Sequence, residues 1–201
     1  GALQADAGIF KLDFKSPKFS LYNNLLDSVV LKVDTKNPLF NTFLALKSAK
    51  TPYYEIEDLR LINNTLQDTL FFRTEFKGGK DHSDRFGLNF YHTFNDTKQS
   101  VIGLKKSSLT FKGADWYINE SGNKDNKVVF NKNLDSVFVS SLVMSSPEQE
   151  KVVLNGQLSD STYKDIRLSF SKVALRKIFP RVDSLDLDGR VNGELNILQK
   201  D

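Results

Sequence analysis

From Leu185 to Ile197 every odd position is apolar or glycine (Leu185, Leu187, Gly189, Val191, Gly193, Leu195, Ile197) and every even position is polar (Asp186, Asp188, Arg190, Asn192, Glu194, Asn196). A period of two held without error predicts a β-strand with one dry and one wet face. At about 3.3 Å per residue the run would span roughly 40 Å, longer than an ordinary strand. Gly189 and Gly193 fall on the dry side, where they mark a bend or a close backbone approach.

The same signal recurs upstream. Ile166, Leu168 and Phe170 alternate with Asp165, Arg167, Ser169 and Ser171. The period then changes: Ala174, Leu175, Ile178 and Phe179 are spaced for one short helix near 173–179, which Pro180 ends. Val152, Leu154, Gly156 and Leu158 form another one-faced strand. Phe72 and Phe76 share a face with Leu70, opposite Phe71, Arg73 and Glu75, and Lys77-Gly78-Gly79-Lys80-Asp81 turns the chain. Phe86, Leu88, Phe90 and Phe94 share the next face, with His92 among them.

Near the N-terminus, Phe10, Leu12 and Phe14 predict a strand ending at Ser16-Pro17, and Val29, Leu31 and Val33 a strand closed by Asn37-Pro38. The stretch from Phe19 to Asp27 reads as a turn or a helical stub, Phe40 to Ala49 as a strand buried on both faces or a short helix, and Ile56 to Leu61 as a weak strand. Short strands follow at Val101–Leu104, Leu109–Phe111, Trp116–Ile118 and Val128–Phe130. Val137 to Met144 is apolar on both sides, which fits a bulge or double coverage. Turn signals every ten or so residues make the chain all-β, an amphipathic, antiparallel-rich sheet in a single domain over residues 1–201.

Three segments carry a resemblance: Tyr163-Lys164-Asp165-Ile166-Arg167-Leu168-Ser169-Phe170 with Lys177-Ile178-Phe179-Pro180; Leu185 to Leu195; and Leu70 to Gly79 through Leu88-Asn89-Phe90-Tyr91-His92-Thr93. Together, over roughly residues 69–201, they resemble the TamB (translocation and assembly module) family of the AsmA-like superfamily. The resemblance implies a sheet folded into an open, taco-like β-groove with an apolar interior, part of a periplasm-spanning bridge that conducts phospholipids toward the outer membrane. It implies phospholipid acyl chains, neighbouring segments of the same long chain and an outer-membrane BamA-like barrel as partners. It also implies a place in the periplasm or cell envelope, with an inner-membrane anchor in a segment outside this chain. Because the chain stops directly after a long strand, we expect it to be part of something longer.

The expected groove lining is Phe72, Phe76, Phe86, Leu88, Phe90, Phe111, Ile166, Leu168, Phe170, Leu187, Val191 and Leu195. Two other readings stand beside it. The groove could receive β-strands of outer-membrane protein clients, or the dry faces could pack on one another in a sandwich with Trp116 and Tyr117 as an exposed aromatic platform.

Other chemistry finds little support. The 28 basic and 25 acidic side chains leave a net charge of +3 spread along the chain, which disfavours nucleic acid. No apolar run reaches bilayer-spanning length. With no cysteine, disulfides and thiolate chemistry are excluded. His82 beside Asp81 and Asp84 offers too few convergent metal ligands, and His92 reads as a wall residue rather than a base. Asp186-Leu187-Asp188-Gly189 fails as a calcium loop because Ser184 and Leu195 would fill its first and twelfth positions. No phosphate loop, dinucleotide fingerprint or nucleophile elbow is present, so we expect a non-enzyme without metal or cofactor. Asp27-Ser28-Val29, Asp68-Thr69-Leu70, Asp135-Ser136-Val137 and Asp183-Ser184-Leu185 resemble an O-glycosylation acceptor motif of some Gram-negative envelope proteins; plain turn chemistry at a strand entry is the preferred explanation.

Overall fold

Strand alternation governs nearly the whole chain in the computed structural model. The structure describes residues 2–4, 8–21, 24–51, 54–79, 81–160, 162–178 and 188–200. The chain divides into two compact units, Gly1–Phe90 with Leu109–Gly113, and Tyr91–Ser108 with Ala114–Asp201.

The first unit contains β1 (Ala2–Gln4), β2 (Ile9–Leu21), β3 (Asn24–Asp34), β4 (Thr42–Lys50), β5 (Glu55–Leu66), β6 (Thr69–Gly78) and β7 (Asp84–Phe94) as far as Phe90. These strands are neighbours in sequence order, and the apolar segment Leu109–Phe111 of β9 (Ser107–Phe111) lies beside β7. Two open readings resolve as strand here. Of Phe19 to Asp27, residues 19–21 end β2 and residues 24–27 begin β3, and of Phe40 to Ala49, residues 42–49 lie in β4, paired on both edges rather than helical. The first strand also runs on through Pro17. Among the described residues β1 pairs only with Ile9, Phe10 and Lys11, which leaves β2 an edge strand at Pro17 there, and an edge tolerates the missing N–H.

The core of this unit is Val29, Leu46 and Ala49, with Leu26, Leu44, Ile56 and Leu59 packed on it. Leu26 and Val29, Leu46 and Ala49, and Ile56 and Leu59 are each three apart in neighbouring strands, where regular alternation would send them to opposite faces. The phase slips between them: Ser28 at φ 55° and Asp58 at φ 51° adopt left-handed backbone, and the β5–β6 register shifts between Glu57 and Arg60.

The second unit contains the end of β7, then β8 (Ser100–Leu104), β10 (Ala114–Ile118), β11 (Lys127–Phe130), β12 (Ser136–Ser145), β13 (Lys151–Ser159), β14 (Tyr163–Ala174), α1 (Leu175–Ile178) and β15 (Arg190–Lys200). Its order is β8-β11-β12-β13-β14-β15, with β10 on β12, and its registered pairings are antiparallel. The expected bulge in Val137 to Met144 is present: the register shifts between Val139 and Leu142, around Ser141 at φ 44°. A second shift separates Phe170 from Val173, around Lys172 at φ 55°.

Among the described residues the one helix, α1, matches the expectation but is shorter, because Val173 and Ala174 still belong to β14; Phe179 lies outside the described residues. The last strand begins at Arg190 and continues past Ile197 to Lys200, drawn on by pairing with Tyr163, Lys164 and Asp165. Leu185, Asp186 and Leu187 lie outside the described residues. Gly189 does mark a bend, at φ 115°, whereas a Cβ on Gly193 would meet nothing within 4 Å. The close approach is at Gly156, where a Cβ would stand 2.6 Å from the Asp165 carbonyl oxygen.

Candidate functional site

Directly opposed residues of paired strands point to the same face, so the registers of the second unit trace rows across its sheet. One row joins Ile197, Ile166, Gly156, Val139, Val128 and Ile102 across six strands. Beside it run Leu195, Leu168, Leu154 and Leu142, then Gly193, Phe170, Val152, Met144 and Ile118. Each member of these rows is apolar or glycine. Four of the expected lining residues, Ile166, Leu168, Phe170 and Leu195, therefore lie on one face, and Val191 extends it opposite Val173.

Burial along this face is graded. At one end Leu195 is 52% and Ile197 50% exposed. The interior of the rows is half-buried, and no member of the three rows is fully buried. At the other end Val173 is 1% and Trp116 7% exposed.

That closed end is where α1 lies. Lys177 Nζ sits 2.5 Å from Glu150 Oε2, 3.1 Å from Glu148 Oε2 and 5.4 Å from the Trp116 ring centroid. Ser146 Oγ donates to the same Glu150 oxygen at 2.6 Å, and the Ala174 amide donates to Glu150 Oε1 at 2.9 Å. Glu150 is 1% exposed. Burial alone would raise its pKa, but hydrogen bonds from Lys177, Ser146 and the Ala174 amide outweigh that and hold it below the usual carboxylate value. Burial likewise pushes Lys177 down, and the two carboxylates reverse it, leaving the ammonium above its ordinary value.

The first unit has an aromatic face of its own. Phe72 stacks on Phe90 with centroids 4.8 Å apart, and Phe76 on Phe86 at 4.4 Å. Phe111 is exposed and tilted against Phe86 at 6.5 Å, and Tyr54 meets Phe86 edge-on at 6.3 Å. Leu88, between Phe86 and Phe90 on β7, is half-buried. All six expected lining residues of this unit are thus neighbours on one face. Opposite Phe72 stands Asn63, a buried amide whose Nδ2 donates to the Phe71 carbonyl oxygen at 3.2 Å.

Sequence reasoning missed several members of these faces. Ile102 and Val128 sat in short strands, Val139 and Leu142 in a stretch apolar on both sides and Leu154 in a one-faced strand, and their common face follows only from the register. Leu187 lies outside the described residues.

The polar candidates take other roles. His82 Nδ1 faces Glu57 at 3.1 Å. Asp84 is buried away from it, accepting hydrogen bonds from the Tyr54 hydroxyl and the Lys112 amide, both at 2.8 Å. Burial first, and the Asp84 carboxylate second, push the Tyr54 hydroxyl well above its usual pKa. His92 is half-buried, edge-on to Phe94 at 5.1 Å. Among the described residues no three His, Asp or Glu side chains converge as metal ligands, and no helix is long and apolar enough to cross a membrane.

Two expectations are corrected. Trp116 is not half of an exposed aromatic platform, because it is buried beneath Lys177. Thr69 and Ser136 do begin strands, but Ser28 lies inside β3, where its hydroxyl donates to Asp27 Oδ1 at 2.9 Å. Ser184 is outside the described residues.

Comparison with family models, curated proteins and solved structures found no match for this chain.

Proposed function

We propose that this chain is a segment of a bridge-like lipid transfer protein, carrying phospholipid acyl chains along its apolar faces between inner and outer membranes. The observation that carries the reading is the row from Ile197 to Ile102, six strands wide and open at the Leu195 and Ile197 end. An apolar strip of this extent gains free energy from an apolar guest. Each methylene removed from water contributes about 0.8 kcal/mol without preferred direction, so a chain can slide along the rows without losing specific contacts. The resemblance of residues 69–201 to the TamB family supports the same reading. In it the chain is not an enzyme and works in the periplasm beside neighbouring segments of its own longer protein, with a BamA-like barrel as a further partner.

A second reading has its own support. Among the described residues β15 pairs only with β14, and Leu195, Ile197 and Leu198 on it are exposed. An edge strand of this kind can accept a β-strand of an outer-membrane protein client by main-chain pairing.

The deciding measurement is a pair, melting temperature and bound phospholipid by native mass spectrometry, on wild type, Leu88→Arg and Leu168→Arg. Both leucines are half-buried, so an arginine can turn its head to solvent. We expect the fold to survive and lipid recovery to fall. Wild type without lipid, together with collapse of both variants, would sink the lipid reading.

A further inference from the structure

The helical turn α1 (Leu175–Ile178) lies at the one end of the second unit's apolar face that is closed. Four residues cannot hold a helical turn in water, because nucleation is unfavourable and little propagation repays it. The turn is held from outside, and the holding contacts converge on one carboxylate. Glu150 Oε2 takes Lys177 Nζ and the Ser146 hydroxyl, while Glu150 Oε1 takes the Ala174 amide at the entry to the turn. One more bond, from the Leu175 amide to the Gly189 carbonyl oxygen at 3.0 Å, ties the turn to the approach of β15. These described contacts are polar, beside a half-buried Leu175. A buried ion pair contributes little net free energy, since desolvation offsets most of its attraction. By contrast the strands on either side are joined by long ladders, Lys151 to Ser159 on β13 against Ser171 to Tyr163 on β14.

We propose that α1 is a latched end cap, which opens as a local unit about Ala174 and, when open, adds Trp116 and Val173 to the exposed apolar strip. Closed, the cap leaves Trp116 under the Lys177 ammonium and Val173 out of water; open, the strip lengthens by one row at the end opposite Leu195 and Ile197. The group placed over Trp116 is an ammonium, and its partners Glu150 and Glu148 stand on the β12–β13 connection rather than on the turn. The inference does not depend on what the face carries.

Trp116 is the sole tryptophan of the chain, so its emission reports the cap alone. On the unaltered chain, hydrogen exchange should show the Ala174 and Leu175 amides exchanging at least about tenfold faster than the ladder amides of Leu154 and Leu168, as expected of a local opening. Equal rates would mean that the turn opens only with the whole unit, and the proposal would be overturned. In the double variant Glu150→Gln/Lys177→Met, which leaves no orphaned charge, a folded protein should show red-shifted Trp116 emission and acrylamide quenching raised several-fold. A folded double variant whose Trp116 stays shielded would equally overturn the latch. The exchange comparison decides by itself if the double variant does not fold.

Discussion

The ring of Tyr91 occupies the space in which a side chain at position 103 would stand: a Cβ built on Gly103 would lie 2.0 Å from Tyr91 Cε1 and 2.4 Å from its hydroxyl oxygen. Gly103 is buried in β8 although its chain neighbours Ile102 and Leu104 are only half-buried, so the aromatic ring does the covering. Gly103→Ala must push the ring aside and should cost about 1–3 kcal/mol, the usual range for overpacking. In a Tyr91→Ala background the same change should cost much less, and the coupling in a double-mutant cycle by urea denaturation measures the contact. Equal costs in both backgrounds would show that the ring is not what excludes the methyl.

The phase slips make a separate prediction. Ser141 and Lys172 hold left-handed backbone at φ 44° and 55°, which costs an L-residue roughly 1–2 kcal/mol. Glycine removes that strain but adds roughly 0.4–1 kcal/mol of unfolded-state entropy. Lys172→Gly and Ser141→Gly should therefore be neutral to stabilising by up to about 1 kcal/mol, while Ser140→Gly, one residue away in ordinary strand, should destabilise by roughly 0.5–1 kcal/mol. Melting temperatures of the three variants check the sign.

These slips also explain what was legible in the sequence. Clean alternation located β13, β14 and β15 and placed Phe72, Phe76, Phe86, Leu88 and Phe90 on one face, because one wet and one dry side leaves an unambiguous period. Where the phase breaks, the apolar residues fall three apart, as in Leu46 and Ala49 or Val139 and Leu142. Such spacing looks like a helix or a strand buried on both sides. Apart from the bulge expected in Val137 to Met144, nothing flagged the slips themselves, since Ser28, Asp58 and Lys172 are not glycines. Pro17 misled for a related reason, as its tolerance depends on edge position and not on local propensity. The Glu150–Lys177 pair was invisible because its members are brought together by the turn after β14, and the exposed Trp116 of the sandwich reading fails where that same distant lysine lies over its ring.

The pH dependence of stability has a definite sign. Glu150 has its pKa lowered on folding, against burial, by Lys177, Ser146 and the Ala174 amide. Its contribution is therefore complete above the unfolded value of about 4.3 and is lost as pH falls through the lower folded value. Lys177, raised by Glu150 and Glu148 against its own burial, contributes below about pH 10.4 and loses that contribution as pH rises through its folded value. Urea midpoints for wild type should fall below about pH 4, and Glu150→Gln should flatten that acid limb. An unchanged acid limb in Glu150→Gln would assign the titration to other carboxylates.

Two glycines on the same apolar face should respond in opposite ways to the same added methyl. At Gly156 a Cβ would meet the Asp165 carbonyl oxygen at 2.6 Å and the Ile166 Cα at 3.0 Å. Backbone cannot swing aside as a side-chain tip can, so Gly156→Ala must spread β13 from β14 and should destabilise by about 1–3 kcal/mol. At Gly193 on β15 the same Cβ meets nothing within 4 Å. There the methyl adds apolar surface to an open row and removes unfolded-state entropy, so Gly193→Ala should be neutral or stabilising by up to about 1 kcal/mol. If the face beside Gly193 were covered by another layer, Gly193→Ala would clash and destabilise as Gly156→Ala does. Thermal melts of the two variants therefore test whether the β15 end of the face is open in solution, which the lipid reading needs and a self-packed sandwich forbids.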